Sequence, residues 1–129
     1  PIGWISSRGA TGDNLAPYSF FNAAAYVPPQ VVFSSTGTKD SVTNIRANGV
    51  FAVSIVEEAM LHAMNQTSAA VASGIDEFAL AGIEKAECRE IDSPHVAGAP
   101  AVLECRVVQV IPLRVKSCVL SDCHAKAPT

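Results

Sequence analysis

Short apolar runs recur along the chain, and the spacing within each run predicts its conformation. Residues 2–7 (IGWISS) place Ile2, Trp4 and Ile5 close together, which suits a strand. RGATGDN follows, with Gly9 and Gly12 among small and polar residues, and predicts a hairpin loop turning at residues 9–13. Residues 15–27 (LAPYSFFNAAAYV) read as the returning strand, with Pro17 marking its start as an edge or a bulge. Pro28-Pro29 ends that strand, and residues 30–35 (QVVFSS) form a compact third one.

The period then changes. Val42 and Ile45 fall three apart, Thr38 stands where an N-cap belongs, Asp40 lies in the first turn and Gly49 is a stop. This predicts a helix over residues 39–47. Residues 50–56 (VFAVSIV) are continuous enough for a buried strand, and EEAMLHAMNQTSAAVA sets Met60, Leu61 and Met64 on one face of a second helix. A one-turn helix is expected from Asp76, then a strand through Ile83. Residues 99–113 form the longest strand candidate, with Glu104 and Arg106 paired on one side and Leu103, Cys105 and Val107 on the other. The fold class expected is mainly β with inserted helices: an antiparallel barrel rather than a doubly wound βαβ sheet.

Composition narrows the function. A chain of 129 residues makes one domain, and 49% hydrophobic against 16% charged residues provides a real core. Burial in a dimer or around a cofactor accounts for the apolar excess, as does ordinary variation. A net charge of −3 without a basic stripe argues against nucleic acid. No apolar run approaches the length of a membrane span, and no signal peptide is visible ahead of Pro1. The cysteines, Cys88, Cys105, Cys118 and Cys123, show no disulfide framework and read as free thiols in a reducing, cytoplasmic compartment. Cys118, Cys123 and His124 match no common zinc spacing. His62, His95 and His124 lie far apart, no GxSxG or HExxH occurs, and the GxGxxG and GxxxxGKS/T loops are absent.

Two segments carry candidate chemistry. In FSSTGTKDSVTNI a strand ends in Ser34-Ser35, a small-residue turn follows, and a helix begins beside Lys39. Hydroxyls, helix N–H groups and an ammonium converge there, as a bound phosphate requires; a capped helix with a solvated lysine is the alternative. In APYSFFN, aromatic faces alternate with Ser and Asn, which suits a flat heteroaromatic ring with a polar edge; a core strand with surface Ser and Asn is the alternative.

Taken in order, PIGWISSRGATGDNLAPYSFFNAAAYVPPQVVFSS, KDSVTNI, AMNQTSA, DEFALAG and VLECRV resemble the flavin reductase-like, FMN-binding split-barrel family. The resemblance implies an antiparallel split barrel that dimerises around FMN. It also implies hydride transfer from NADH or NADPH to flavin, with a partner monooxygenase as one destination of the reduced flavin. By the resemblance, Asn14, Ala16, Ser19, Phe20 and Asn22 lie along the flavin ring, and Ser34, Ser35, Lys39, Ser41 and Asn44 match the ribityl and phosphate side. No catalytic acid or base is expected. The likeness runs over residues 1–113, so a partial domain there and an irregular tail at 114–129 are expected. Two other functions stay open: a flavin-binding redox carrier without NAD(P)H chemistry, and a truncated domain that binds nothing.

Overall fold

The computed structural model describes residues 1–113, and the hairpin expected at the start is there. β1 (Gly3–Gly9) and β2 (Gly12–Tyr18) pair antiparallel down to Gly9 opposite Gly12, so only Ala10 and Thr11 remain in the loop. Both strands thus reach further into the expected turn than the glycines suggested. β1 alternates poorly because both of its faces are buried. Trp4 packs on one face with Leu15, Met64, Phe78 and Val96, and Ile5 on the other with Tyr18, Ile45, Phe51 and Val53. The two serines that follow them are satisfied: Ser6 Oγ donates to the Pro94 carbonyl at 2.6 Å, and Ser7 Oγ accepts from Asn44 Nδ2 at 3.3 Å.

β5 (Val50–Ser54), buried throughout, pairs antiparallel with β1 and with β8 (Val102–Arg106), giving the sheet order β2-β1-β5-β8. β2 is an edge strand, which is where Pro17 is tolerated. This sheet is antiparallel and carries helices between its strands; among the described residues it does not close into a barrel.

The single returning strand expected over 15–27 is instead two. The chain leaves the sheet at Ser19-Phe20, and β3 (Phe21–Tyr26) forms a separate ribbon with β4 (Pro29–Phe33). Aromatic packing draws the ribbon back onto the sheet: the Tyr18 and Phe33 rings lie 4.8 Å apart and Phe33 meets Phe51 edge-on at 5.3 Å.

α1 (Asp40–Asn48) ends where expected, at a left-handed Gly49 whose N–H bonds the Ile45 carbonyl. Its N-cap is Lys39 rather than Thr38, and no side chain caps it. The second helix is shorter than its pattern: a 3₁₀ turn (Glu58–Met60) leads into α2 (Leu61–Gln66). The hydroxyls of Thr67 and Ser68 bond back to the Met64 and Asn65 carbonyls and close it. α3 (Glu77–Leu80) begins on an Asp76 cap, as expected. The strand expected through Ile83 is displaced to β6 (Lys85–Glu87), paired with β7 (Pro94–Val96), because a turn at Ala81-Gly82 intervenes.

The long strand expected over 99–113 is confined to β8, since β5 offers only five partners. Glu104 and Arg106 share a side of it, yet no ion pair joins them. Glu104 accepts from the Arg89 and Glu90 amides and Arg106 donates to the Glu90 carbonyl. The 114–129 tail, with Cys118, Cys123 and His124, lies outside the described residues. Among the described residues no helix is long and apolar enough to cross a membrane.

Candidate functional site

Where the chain passes from β2 to β3 it opens a hollow of about 410 Å³ lined by Pro1, Ser19, Phe20, Phe21, Asn22, Val32 and Ser34. Its walls are joined by the Ser34 amide, which donates to the Phe20 carbonyl at 2.9 Å. Phe20 is 68% exposed, an aromatic face left open among the described residues. Asn22 accepts from the Ala23 amide through Oδ1 and is otherwise exposed. Ala16, half-buried on β2, is not among the lining residues and packs against the Ile5–Tyr18 cluster.

Ser34 also begins the loop into α1. There Ser35 Oγ donates to the Gly37 carbonyl at 3.1 Å, and Gly37 turns the chain at φ 82°. The Lys39 ammonium lies 5.8 Å from the centroid of Tyr18, which packs on Phe33, the residue before Ser34. The lysine is thus linked, through Tyr18 and Phe33, to the strand that ends just before Ser34. The first-turn amides of α1 receive no hydrogen bond from the side chain of its N-cap, Lys39.

The remaining residues named from the sequence sit deeper. Asn14, Ser41 and Asn44 are buried with their polar atoms engaged: Ser41 Oγ donates to Asn14 Oδ1 at 2.6 Å, and Asn44 Nδ2 donates to Ser7. Asn14 Nδ2 in turn donates to both oxygens of Glu77, at 3.0 and 3.1 Å. Glu77 is absent from the sequence-based set. Its signal was the DEFALAG motif, which announces a helix start but not a carboxylate turned inward.

Glu77 has only neutral donors as partners, whereas Asp13 sits in a network of opposite charges. Burial pushes the Glu77 carboxyl above the usual carboxylate range, against the hydrogen bond from the Leu15 amide. Asp13 is also desolvated, but hydrogen bonds from Arg8 and Lys85, at 2.7 and 2.8 Å, hold it below that range. Lys85 joins Asp76 as well, at 2.6 Å. Cys88 and Cys105 are pushed up to about 11 by burial, so neither is a thiolate nucleophile at neutral pH. Among the described residues no three His, Cys, Asp or Glu side chains are placed to hold a metal.

A planar ring with a phosphate arm fits this constellation: an uncovered aromatic wall, backbone and hydroxyl groups at its edge, and an uncapped helix end beside a lysine. A second hollow, about 280 Å³ between Ile2, Val56, Glu57, Glu58, Leu61 and Met64, contains none of the candidate flavin-site residues named from the sequence.

Known proteins match the same architecture. A protein of Deinococcus radiodurans without an assigned role is 44% identical over 121 residues, covering 86% of this chain and 53% of its own. Nitrilotriacetate monooxygenase component B from Bacillus cereus superposes with a TM-score of 0.83 at 32% identity, over 88% of this chain and 59% of that one. A 2-nitrobenzoate 2-nitroreductase from Pseudomonas fluorescens gives a TM-score of 0.82 at 29% identity, over 89% and 57%. The chain therefore spans a little over half the length of these relatives. The family model described as "Flavin reductase like domain" matches residues 1–122. With that match over nearly its whole length, and with split-barrel flavin reductases among its structural neighbours, the chain belongs to the flavin reductase-like domain family.

Proposed function

We propose that this chain forms the FMN-binding part of an NAD(P)H-dependent flavin oxidoreductase. One observation supports the reading: Ser34 lines the hollow beside the exposed Phe20, and the loop it begins leads to the start of α1, which has Lys39 as N-cap and no side-chain cap bond. A bound FMN would supply acceptance of a hydride from reduced nicotinamide and its delivery onward as reduced flavin. Phe20 supplies a wall for the ring, with Ser19 and Asn22 at its polar edge. Ser34, Ser35 and Lys39 receive the ribityl and phosphate end, where the α1 dipole favours an anion. Ala16 packs against the Ile5–Tyr18 cluster, while Asn14, Ser41 and Asn44 hold α1 and β2 in place. No side chain is assigned as a catalytic acid or base.

The exposed apolar residues of the β3–β4 ribbon, Tyr26, Val27 and Val32, support a homodimer. The likeness to a monooxygenase component B supports a partner monooxygenase as recipient of reduced flavin.

The test is the visible spectrum of the purified protein titrated with FMN, then with NADH or NADPH under anaerobic conditions. Uptake followed by bleaching is the expected result. Uptake without bleaching would favour a redox carrier, and failure to take up FMN would overturn the reading.

Lys39→Ala should weaken FMN binding about fivefold at low ionic strength, the size of an exposed ion-pair contact. The loss should shrink as salt screens the phosphate. Titrations at two salt concentrations decide this; equal affinities at low salt would remove Lys39 from the site.

A further inference from the structure

Asn14, Ser41 and Glu77 form one buried polar chain across three elements. Ser41 in the first turn of α1 donates to Asn14 on β2, and Asn14 donates to the Glu77 carboxylate on α3. Glu77 also accepts the Leu15 backbone N–H at 3.1 Å. All three side chains are buried, and none of their polar atoms lacks a partner. Their hydrogen-bonding capacity is directed at one another rather than at the hollow.

α1 needs such an anchor. A nine-residue helix is marginal by itself, and this one has no side-chain N-cap. Asn44 and Ile45 hold its middle against β1, but neither sets the position of its first turn. Asp40 adds a tether from that turn to the same α3-side segment, accepting from Ser73 Oγ at 2.7 Å and the Gly74 amide at 2.9 Å. A carboxylate that accepts three N–H bonds has little freedom of its own, so it transmits position rather than absorbing it.

We propose that Glu77 is a positioning residue, which through Asn14 holds Ser41 and the first turn of α1 against β2, so that Lys39 and the Phe20 hollow face one ligand. The identity of that ligand rests on the flavin reading; the positioning does not. Asn14 and Ser41, on this assignment, serve the site without touching the cofactor.

The test combines amide hydrogen exchange and FMN titration on the full chain, for wild type, Ser41→Ala, Glu77→Ala and Glu77→Gln. The reporter is the Thr43 amide, the first helical N–H, bonded to the Lys39 carbonyl at 3.0 Å. Ser41→Ala and Glu77→Ala should raise its exchange about tenfold relative to the amides of β1 and β5, and lower FMN affinity by a similar factor. Glu77→Gln retains an oxygen for Leu15 and Asn14, and should keep both readouts within about threefold of wild type. Should Glu77→Ala fail to fold, Ser41→Ala decides alone, because it removes one hydroxyl and leaves Asn14 and Glu77 paired. Wild-type exchange and affinity in Ser41→Ala would overturn the proposal, as would a Glu77→Gln that behaves like Glu77→Ala. If wild type takes up no FMN while Thr43 exchange responds as stated, the flavin reading falls and the positioning role stands.

Discussion

Trp4→Ala is expected to destabilise the protein by about 3–5 kcal/mol, the range for removing a large aromatic from a packed core. Trp4 is 1% exposed on the second strand of the four-stranded sheet. It touches the elements that cover that face, through Met64 of α2, Phe78 of α3 and Val96 of β7. Its Nε1–H also donates to Thr67 Oγ1 at 2.9 Å, the hydroxyl that closes α2. The substitution thus opens a cavity and removes a buried hydrogen bond together. Domains of this size hold only about 5–15 kcal/mol in total, so the variant should unfold at markedly lower urea. Trp4→Phe keeps most of the volume and loses the hydrogen bond, and should cost about 1–2 kcal/mol. Equilibrium urea unfolding of both variants decides the matter. A Trp4→Ala loss under about 1 kcal/mol would mean that the face it fills can collapse around the gap.

Gly9→Ala should cost about 1–3 kcal/mol through overpacking, and should disturb the site as well as the fold. A Cβ at Gly9 would fall 2.0 Å from Asn44 Oδ1 and 2.6 Å from its Cγ. Asn44 cannot simply swing aside, because it is buried and bonded to Ser7. Either it abandons Ser7, leaving buried polar groups without partners, or α1 moves off β1. Moving α1 carries Lys39 with it, so FMN affinity should fall alongside stability. The double variant Gly9→Ala/Asn44→Ala tests the cause, since removing the amide removes the clash. The two substitutions should be clearly non-additive, with the double variant more stable than the sum of the single losses predicts. Additive losses would place the Gly9 effect elsewhere than in the contact with Asn44.

Much of this architecture was legible because it is local. The Gly9–Gly12 turn, the αL stop at Gly49 and the Asp76 cap each depend on a few neighbouring residues and their backbone preferences. The continuous apolar run at β5 already implied a buried strand. Thr38 failed as a cap because Lys39 takes the extended conformation at the helix start, while Asp40 is held by Ser73 and Gly74 from a distant loop. The ion pair expected between Glu104 and Arg106 failed for a related reason. The 88–91 loop offers both side chains backbone partners at closer reach.

By itself, then, the sequence determined the order and type of most elements, and which short segments, around Phe20 and Lys39, combine aromatic, hydroxyl and charged groups. Those properties reside in local propensity, period and side-chain chemistry. Only the tertiary structure decided where strands end and which polar groups remain available. A strand lasts as long as its partner, so residues 99–113 shrink to β8 against β5, and residues 15–27 divide where the ribbon leaves the sheet. A polar side chain binds whatever it is packed against. Asn14 therefore turns inward to Glu77, 63 positions away in the chain, and Ser41 to Asn14, 27 positions away, while Phe20 is left facing outward. Burial removes competing water, which makes such internal hydrogen bonds obligatory. Which groups are buried follows from chain contacts made far beyond the reach of any local pattern.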